Sequence, residues 1–404
     1  MSSSIRRLHF LVLRLPAICG LLLLIAASGL SGADEPSLLA TLEISGTTRD
    51  KSALANDLAD GTPANLFGGW GSGITALGND RYLLLADRGP RDGATEFRCR
   101  MHVAQIKVLE HPARIDLRLL STVLLTSEHG QQLIGLDTAV GGSTSAPTRF
   151  DPEGVAFNGS TGLFISDEYG PSICEFDLSG RRKCVMNIPA AYIAPTSPND
   201  ARPGDLTSAT GCLRNRGFEG LTISSDGRKL YAISQSALAQ DGGYEGRWLR
   251  LLELDTTTGA SKQFGYRLSD AKHVISELLW AGDEDLLVLE RDTRRGKDAR
   301  SKSIYRVLLG DAEDVSHVPS LRHAPKSLSR LRKKLLIDLL DPKHGLAGQS
   351  MPGKLEGLAW AAPLADGRRV LLVTSDNDFY VREPTRIYAF AVRADLFGPS
   401  SSSR

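Results

Sequence analysis

The stretch DPEGVAFNGSTGLFISDE, residues 151–168, contains two short apolar runs separated by a turn. The first run follows Glu153, and the second ends just before Asp167 and Glu168. Asparagine and glycine between the runs are typical of a β-hairpin turn. The stretch therefore predicts two antiparallel strands, with an acid where the first strand starts and another where the second strand ends.

The same pattern occurs five times along the chain, at intervals of roughly 60 to 80 residues. The copies span residues 72–90, 151–171, 218–235, 276–292 and 355–378. Each copy is followed by two more β-rich runs, such as 248–254 and 262–266 after the third copy. Four strands are the content of one propeller blade, so the repeats predict an all-β protein, a β-propeller of five or six four-stranded blades.

Two further β-rich runs lie near the two ends of the chain. Residues 386–392 supply a third strand for the fifth repeat, and residues 38–44 belong to no repeat. Pairing of these two runs would close the ring and remove exposed strand edges. We therefore expect a single propeller domain over residues 34–404, closed by its N- and C-terminal strands.

The first 33 residues have the character of a secretory signal peptide. A basic start precedes an apolar run at 17–27, and the small residues Ser31, Gly32 and Ala33 offer a cleavage site. The apolar run is shorter than the ~20 residues that a membrane-spanning helix needs, so we expect no stable membrane anchor. The sequence predicts an exported protein, periplasmic or secreted.

The charge balance gives no indication of a charged macromolecular partner. Lysine and arginine total 48 and aspartate and glutamate 47, a formal net charge of +1. We therefore expect no nucleic-acid partner, and we expect a monomer. The sequence contains no Gly-x-Ser-x-Gly, no His-Glu-x-x-His and no Gly-x-x-x-x-Gly-Lys followed by Ser or Thr, which argues against an α/β-hydrolase, a common zinc site and a phosphate-binding loop.

Four cysteines remain after removal of the predicted signal peptide, and they allow three pairings. Cys174 and Cys184 flank a predicted turn, so we expect them to pair across a hairpin. That leaves Cys99 to pair with Cys212. Disulfides are the usual state of cysteines in an oxidising compartment, and four free thiols are the alternative.

Carboxylates recur at both ends of the predicted hairpins. In a propeller blade the innermost strand starts, and the second strand ends, at the same face of the disc, so these acids should gather at one mouth of the central channel. Two like charges ~4 Å apart repel by roughly 4 kcal/mol at an effective dielectric of 20, so the acids must bind cations, share protons through raised pKa values or pair with bases. Nearby arginines can offset part of the charge, and what remains favours a hard cation. A flexible set of oxygen ligands suits Ca²⁺ better than Mg²⁺. The predicted metal ligands are Asp87, Glu153, Asp167, Glu219, Glu277, Glu290, Asp292, Glu356 and Asp376.

Several of these motifs, taken in order, resemble the bacterial family called "esterase-like activity of phytase", or phytase-like domain proteins. The motifs are residues 69–74 with 86–90, 151–154 with 167–170, 215–221, 290–292 and 355–357. The resemblance covers residues 40–392 and implies a propeller-like fold with a phosphodiesterase or phosphomonoesterase activity carried by the repeated acids. The first repeat has Ser72 in place of glutamate, and the third ends in Ser234 and Gln235, so we expect the acidic ring to be open on one side.

These observations predict an exported hydrolase that depends on Ca²⁺ or a similar divalent cation and acts on a small phosphorylated substrate. The predicted catalytic residues are Glu153, Glu168 and Glu219, as metal ligands or general base, and Arg88, Arg216 and Arg291, as phosphate ligands. Two alternatives remain open: a non-catalytic propeller that binds a ligand or protein and holds a structural metal, and a lactonase-like hydrolase.

Overall fold

The computed structural model describes residues 35–137, 148–194, 209–324 and 327–397. The chain divides into two compact units, residues 1–34 and 35–404, and all described residues belong to the second. The predicted signal peptide, residues 1–33, lies outside the described residues. Within the described ranges, no helix is both long enough and apolar enough to cross a membrane.

The described chain folds into five antiparallel sheets of four strands each. The N-terminal strand is β1 (Ser37–Ile44), and the first blade contains β2 (Gly73–Gly78), β3 (Arg81–Leu85), β4 (Arg100–Glu110) and β5 (Ala113–Leu124). The second blade contains β6 (Pro152–Phe157), β7 (Gly162–Asp167), β8 (Ser172–Asp177) and β9 (Arg182–Val185). The third contains β10 (Phe218–Ile223), β11 (Lys229–Ser234), β12 (Trp248–Asp255) and β13 (Ser261–Arg267). The fourth contains β14 (Val274–Gly282), β15 (Asp285–Arg291), β16 (Lys302–Leu308) and β17 (Arg332–Asp338), and the fifth contains β18 (Lys354–Ala361), β19 (Arg369–Asp376), β20 (Thr385–Val392) and β1.

Helical structure in the described ranges is limited to short turns. They are Pro90–Gly93 and the 3-10 turns Ala190–Tyr192, Ala239–Asp241, Gly243–Glu245, Gly296–Asp298, Pro342–His344 and Ala394–Leu396. The all-β class and the β-propeller are therefore confirmed, and the blade number is five.

The ring is closed by the two ends of the described chain. Strand β1 pairs antiparallel with β20, with Leu42 opposite Ile387 and Glu43 opposite Arg386. Arg386 Nε donates to Glu43 Oε1 over 2.8 Å. The pairing predicted from the sequence is confirmed, and it leaves the fifth blade with strands from both ends of the domain.

The core is divided into wedges between the blades. Each of the five large apolar clusters joins two neighbouring blades, as where Leu287 and Leu289 of the fourth blade pack with Leu371 and Val373 of the fifth. The second strands are buried on both faces, because they lie between two such clusters. Burial of each large aliphatic side chain stabilises the fold by about 1.5–3 kcal/mol, so stability depends on contacts between blades.

The predicted disulfides are wrong. Across β8 and β9, Cys174 lies opposite Val185, whereas Cys184 lies opposite Glu175. This one-residue offset sends the two cysteines to opposite faces of the sheet, so Cys174 is buried and Cys184 is exposed. Cys99 and Cys212 are buried in different inter-blade clusters, and all four thiols are free.

Candidate active site at one end of the central channel

The five inner strands, β2, β6, β10, β14 and β18, surround the axis of the propeller and give its channel two different ends. Their later residues line a cavity of about 220 Å³ that is largely apolar and includes Trp280 and Trp360. Their first residues line a cavity of about 370 Å³ that is rich in charged groups. We call the second cavity the mouth. Its charged lining residues are Arg88, Asp92, Glu153, Glu168, Arg216, Glu219, Arg291, Arg295, Lys354, Glu356, Asp376, Asp378 and Glu383.

A β-bulge brings glutamates into the mouth. The pairing with the second strand shifts register at Glu153 in β6, at Glu219 in β10 and at Glu356 in β18. A bulge leaves an extra residue unpaired and re-aims its side chain. In these three blades the recurring glutamate is therefore the bulged residue.

The glycine after each bulged glutamate is required by close approach of neighbouring inner strands. A Cβ atom on Gly154 would lie 2.6 Å from the Glu219 carbonyl oxygen, and one on Gly220 would lie 2.8 Å from the Leu278 nitrogen. Both atoms are main chain and cannot rotate away. The Glu-Gly pair in the sequence thus encodes one local geometry, a bulge packed against the next blade.

The fourth blade departs from this pattern. Its bulged residue is Ser276, and Glu277 occupies the position that is glycine in the other blades. The Glu277 carboxylate accepts hydrogen bonds from the main-chain nitrogens of Leu221 and Leu278, at 3.0 and 2.8 Å. Burial raises the pKa of Glu277 well above its ordinary value. Glu277 therefore joins two inner strands, and it does not line the mouth.

Arg88 organises one side of the mouth. Its Nη1 forms ion pairs with Asp151 and with Glu168 Oε2, the latter at 3.2 Å, and a hydrogen bond with Asn215 Oδ1. Glu168 Oε1 is buried and has no hydrogen-bond partner in the described structure. Burial, together with the nearby Asp151 charge, raises the pKa of Glu168 to about 7.

Glu153 and Glu219 lie side by side without a basic partner. Neither forms an ion pair among the described residues. Gln235 Nε2 donates to Glu219 Oε1 over 2.7 Å, which leaves Glu219 Oε2 buried and without a partner. Burial and the mutual repulsion of the two carboxylates raise the pKa of Glu153 well above its ordinary value, and burial raises that of Glu219. A proton shared by this pair, or a cation bound to it, would relieve the repulsion between the two carboxylates.

Lys354 pairs with a second group of acids at the mouth. Its Nζ contacts Asp376 Oδ2 at 3.3 Å and forms a closer ion pair with Asp378. Asp87 belongs to the same carboxylate group, and burial raises its pKa to about 7 although Lys354 opposes the shift. The sequence prediction included Asp87 and Asp376 and missed Lys354, which supplies the cation at this group.

Arg291 balances the charge of a further carboxylate of the mouth, that of Glu356. Its Nη2 donates to Glu356 Oε1 over 2.9 Å, and its Nε donates to Ser276 Oγ over 2.7 Å. Arg216 also lines the mouth, and it forms no ion pair among the described residues. Its guanidinium carbon lies 5.8 Å from the ring centre of Tyr244.

Besides Asp87 and Glu277, three more acids predicted as metal ligands are absent from the lining of the mouth. Asp167 accepts hydrogen bonds from the Asp151 and Tyr169 nitrogens and from Ser172 Oγ, and burial raises its pKa to about 6. Asp292 contacts Lys302 Nζ at 3.0 Å and accepts from the Arg300 nitrogen.

Glu290 is the third of these acids, and it lies between the third and fourth blades. It accepts from Tyr266, His273 and Lys333 at 2.7, 2.9 and 2.6 Å. Burial alone would raise the pKa of Glu290, but the hydrogen bonds from His273 and Lys333 lower it to about 2.

Two mouth residues missed by the sequence analysis share a spacing. Asp151 and Lys354 each lie two residues before a bulged glutamate, Glu153 and Glu356. Side chains two residues apart on a strand point to the same face, so this period of two would have indicated both. The sequence motifs indicated one acid at the start of each inner strand, so Asp151 and Lys354, two residues earlier, were left out of the predicted site.

The carboxylates of the mouth offer two groups of three whose oxygens lie within 4.8 Å of one another. One group is Asp87, Asp376 and Asp378, which already surrounds the Lys354 ammonium. The other group is Asp151, Glu153 and Glu168. Its neighbour Glu219 Oε2 is buried and without a partner. Carboxylate oxygens in this number fit a hard cation such as Ca²⁺. In the second group the Arg88 guanidinium pairs with Asp151 and Glu168, and Glu153 has no basic partner among the described residues.

Comparison with known proteins identifies a family. The profile of the family described as "Phytase-like: Esterase-like activity of phytase" matches residues 65–379. An "Uncharacterized secreted protein" of Arthroderma benhamiae is 31% identical over 249 residues, which is 48% of this chain and 49% of that protein. The chain thus spans about half the length of this curated relative.

Similarity to solved structures is low. An exo-β-1,3-galactanase of Phanerochaete chrysosporium is 9% identical with a TM-score of 0.42, over 86% of this chain and 63% of its own. The soluble aldose sugar dehydrogenase of Escherichia coli is 10% identical with a TM-score of 0.35, over 89% of this chain and 99% of its own. Similarity at this level carries no information about activity.

Proposed function

We propose that this chain, which belongs to the phytase-like family described by an esterase-like activity, is an exported hydrolase of phosphate esters that depends on a divalent cation, with Ca²⁺ as the expected ion. One observation carries the proposal. Glu153 and Glu219 are buried next to each other at the mouth, and neither has a basic partner among the described residues. Since two ionised carboxylates in that position repel, a bound cation would stabilise the ionised pair.

The cation would be held by Asp151, Glu153 and Glu168. These three residues belong to two adjoining elements, the start of β6 and the exit of β7, so one blade supplies the whole group. The Arg88 guanidinium pairs with Asp151 and Glu168 and fixes their positions. Glu153 has no such partner, so its charge would be balanced by the cation. When bound, the cation would polarise a phosphoryl group and lower the pKa of an attacking water.

Arg216 would bind the phosphoryl oxygens. It has no carboxylate partner among the described residues, and a guanidinium offers two parallel donors to a phosphate. Lys354 also lines the mouth, but it is already paired with Asp376 and Asp378. Arg88 and Arg291, predicted as phosphate ligands, already donate to carboxylates, and we assign them to positioning Glu168 and Glu356.

Glu219 would take the proton from the attacking water. Gln235 fixes one of its oxygens, so the free Oε2 has a defined direction. Its raised pKa makes it a stronger proton acceptor than an exposed glutamate. Glu219 lies beside the proposed cation ligand Glu153, which would keep the base close to the water that the cation activates.

The test is hydrolysis of bis(p-nitrophenyl) phosphate and p-nitrophenyl phosphate by metal-free and Ca²⁺-loaded protein. We expect turnover only with the cation, and a loss of about 100-fold or more in Glu219→Gln. Glu175→Gln, on the third strand of the second blade, is the matched control and should keep full activity. No turnover of either ester by the loaded protein, or turnover of a lactone panel alone, would contradict the proposal.

Export is the second part of the proposal. The curated relative in Arthroderma benhamiae is described as secreted, and the first 33 residues have the pattern of a signal peptide. Expression of the full-length chain in a bacterial host, with N-terminal sequencing of the protein released from the periplasm, tests it. We expect a mature chain that starts at Asp34, and retention of the intact N-terminus in the cytoplasm would contradict it.

A further inference from the structure

Two cysteines of the second blade are close in sequence but separated in the fold. Cys174 lies in β8 and Cys184 in β9, ten positions apart. The two strands pair so that Cys174 is opposite Val185 and Cys184 is opposite Glu175. Because successive side chains of a strand point to opposite faces, the two thiols lie on opposite faces of the sheet.

In the folded chain these thiols differ in their access to an oxidant. Cys174 is 1% exposed, and burial raises its pKa to about 11. The thiolate is the reactive form of cysteine, so burial makes Cys174 unreactive. Cys99 and Cys212 are buried as well, and of the four cysteines in the described ranges Cys184 alone is exposed. The Cys184 thiol donates to Glu175 Oε2 over 3.5 Å.

A disulfide between Cys174 and Cys184 is incompatible with the register of β9. It would need the two Cβ atoms about 3.5–4.5 Å apart on one face, and β9 would have to slip by one residue to bring them there. Contacts with the segment after β5 oppose this slip. The Arg182 nitrogen donates to the Thr126 carbonyl oxygen over 2.8 Å, and Arg182 Nε donates to Glu128 Oε2 over 2.9 Å.

The unfolded chain lacks this protection. Both thiols are then in water, and a separation of ten positions makes their loop the cheapest to close, since the next nearest pair, Cys184 and Cys212, is 28 positions apart. An oxidant such as glutathione disulfide takes two electrons and two protons from the two thiols and becomes two glutathione thiols, while the S–S bond forms. Oxidants of this class are present where exported proteins fold.

We propose that the second blade reaches its native register only while Cys174 and Cys184 are reduced. Oxidation before folding joins the two thiols and holds β9 out of register, whereas folding first buries Cys174 and prevents the reaction. The exported chain therefore has to fold before it meets a disulfide oxidant, or be reduced again by a dithiol. This property depends neither on hydrolysis of an ester nor on a cation.

The test is refolding of the mature chain, residues 34–404, from urea into buffer with either dithiothreitol or glutathione disulfide. For the wild type we expect the yield of native protein to be lower by about threefold or more with the oxidant, and peptide mapping to find a disulfide between Cys174 and Cys184. Addition of dithiothreitol to the trapped chain should restore the native yield.

Cys184→Ser removes the exposed thiol and should refold with the same yield in both buffers, and Cys184→Ala serves as a second variant at this position. Cys212→Ala is the matched control, because it removes a thiol from another inter-blade cluster and should keep the loss of yield. Each variant is compared with its own yield in dithiothreitol, so that a change in stability does not affect the ratio.

The folded wild type gives an independent measurement. Dithiobis(nitrobenzoate) should titrate about one thiol per folded chain, and glutathione disulfide should leave the melting temperature of the folded chain unchanged. The proposal is overturned if the wild type refolds equally well in both buffers, or if the trapped chain holds a different disulfide. A loss of yield in the Cys184 variants equal to that of the wild type, or a folded chain with two or more reactive thiols, would also overturn it.

Discussion

Glutamates with similar burial have opposite environments in this propeller. Glu153 lies against other carboxylates, which together with burial raise its pKa. Glu290 is surrounded by donors from His273 and Lys333, which lower its pKa to about 2. The sequence places both acids at equivalent ends of hairpins, so the sequence alone could not distinguish them. The distinction arises from side chains on neighbouring blades, which are remote in sequence.

The first prediction compares these two residues. In metal-free protein at neutral pH, Glu153→Gln should raise the melting temperature because it removes a buried like-charge contact. Glu290→Gln should lower stability by about 3 kcal/mol, because it leaves the Lys333 charge without its partner. Thermal unfolding of both variants checks this, with the wild type as reference. A destabilised Glu153→Gln with an unaffected Glu290→Gln would show that the two environments are assigned incorrectly.

The second prediction concerns pH. Glu168 and Asp87 have pKa values raised to about 7 from ordinary values of 4.5 and 3.8. A raised pKa stabilises the fold below the ordinary pKa, and this stability is lost as the pH rises toward the raised value. The stability that Ca²⁺ adds should therefore be larger at pH 7.5 than at pH 5. His102, whose pKa burial lowers to about 3, changes stability in the opposite sense over this window, but it does so with and without Ca²⁺. Glu290 contributes no slope in this window, because its pKa of about 2 lies far below it.

Saturating Ca²⁺ should remove the part of the slope that these carboxylates cause, because a bound cation stabilises the ionised carboxylates. Melting temperatures measured across pH 5 to 7.5, with and without Ca²⁺, give both curves. A Ca²⁺-induced increase in melting temperature that does not grow as the pH rises through this window would contradict the raised pKa values.

At the scale of the element, the β-bulge connects sequence to site. The Glu-Gly pairs at 153–154, 219–220 and 356–357 predicted the strand starts correctly, because the same pair is needed wherever a bulged acid packs against the next blade. In the fourth blade the predicted position was wrong by one residue, because Glu277 was expected there and the bulged residue is Ser276. Register was also the source of the disulfide error, since a one-residue offset separates Cys174 from Cys184. The sequence pattern indicates where the strands are, and the register between paired strands decides which face of the sheet each side chain occupies.

The third prediction tests the close approach at the bulge. Gly220→Ala should destabilise the protein by roughly 2 kcal/mol or more, because the added Cβ meets main-chain atoms of β14. Gly310→Ala is the matched control. The nearest atom to its added Cβ is 3.9 Å away, so its effect should stay within about 0.5 kcal/mol. Denaturant unfolding of the two variants measures the difference, and equal stabilities would show that the inner strands are farther apart.

At the scale of the molecule, the propeller has its core between blades. The four-stranded blades and the closing pair of strands could be predicted from the order of the repeats, and the sequence left the blade number at five or six, of which the structure has five. The gathering of acids at one mouth followed from blade geometry in part, because Glu153, Glu219, Glu356 and Asp376 line the mouth and the other five predicted ligands do not. What could not be predicted was the balance of charge there, because Lys354 and Arg88 reach acids of other strands.

The fourth prediction removes the closing strand. A chain that starts at Gly46 lacks β1 and leaves the edge of β20 exposed. It should melt at least about 5 °C below a chain that starts at Asp34, and it should self-associate as concentration rises. Calorimetry and light scattering measure both properties. A truncated chain that stays monomeric with an unchanged melting temperature would contradict the role of β1 in closure.

The proposal that the acids of the mouth hold a cation is tested most directly by locating calcium in crystals of the loaded protein from its anomalous scattering. We predict a peak in the mouth, about 2.3–2.6 Å from an oxygen of Glu153 and from oxygens of Asp151 or Glu168. Crystals saturated with Ca²⁺ that show no peak in the mouth, or a peak only elsewhere on the propeller, would contradict it.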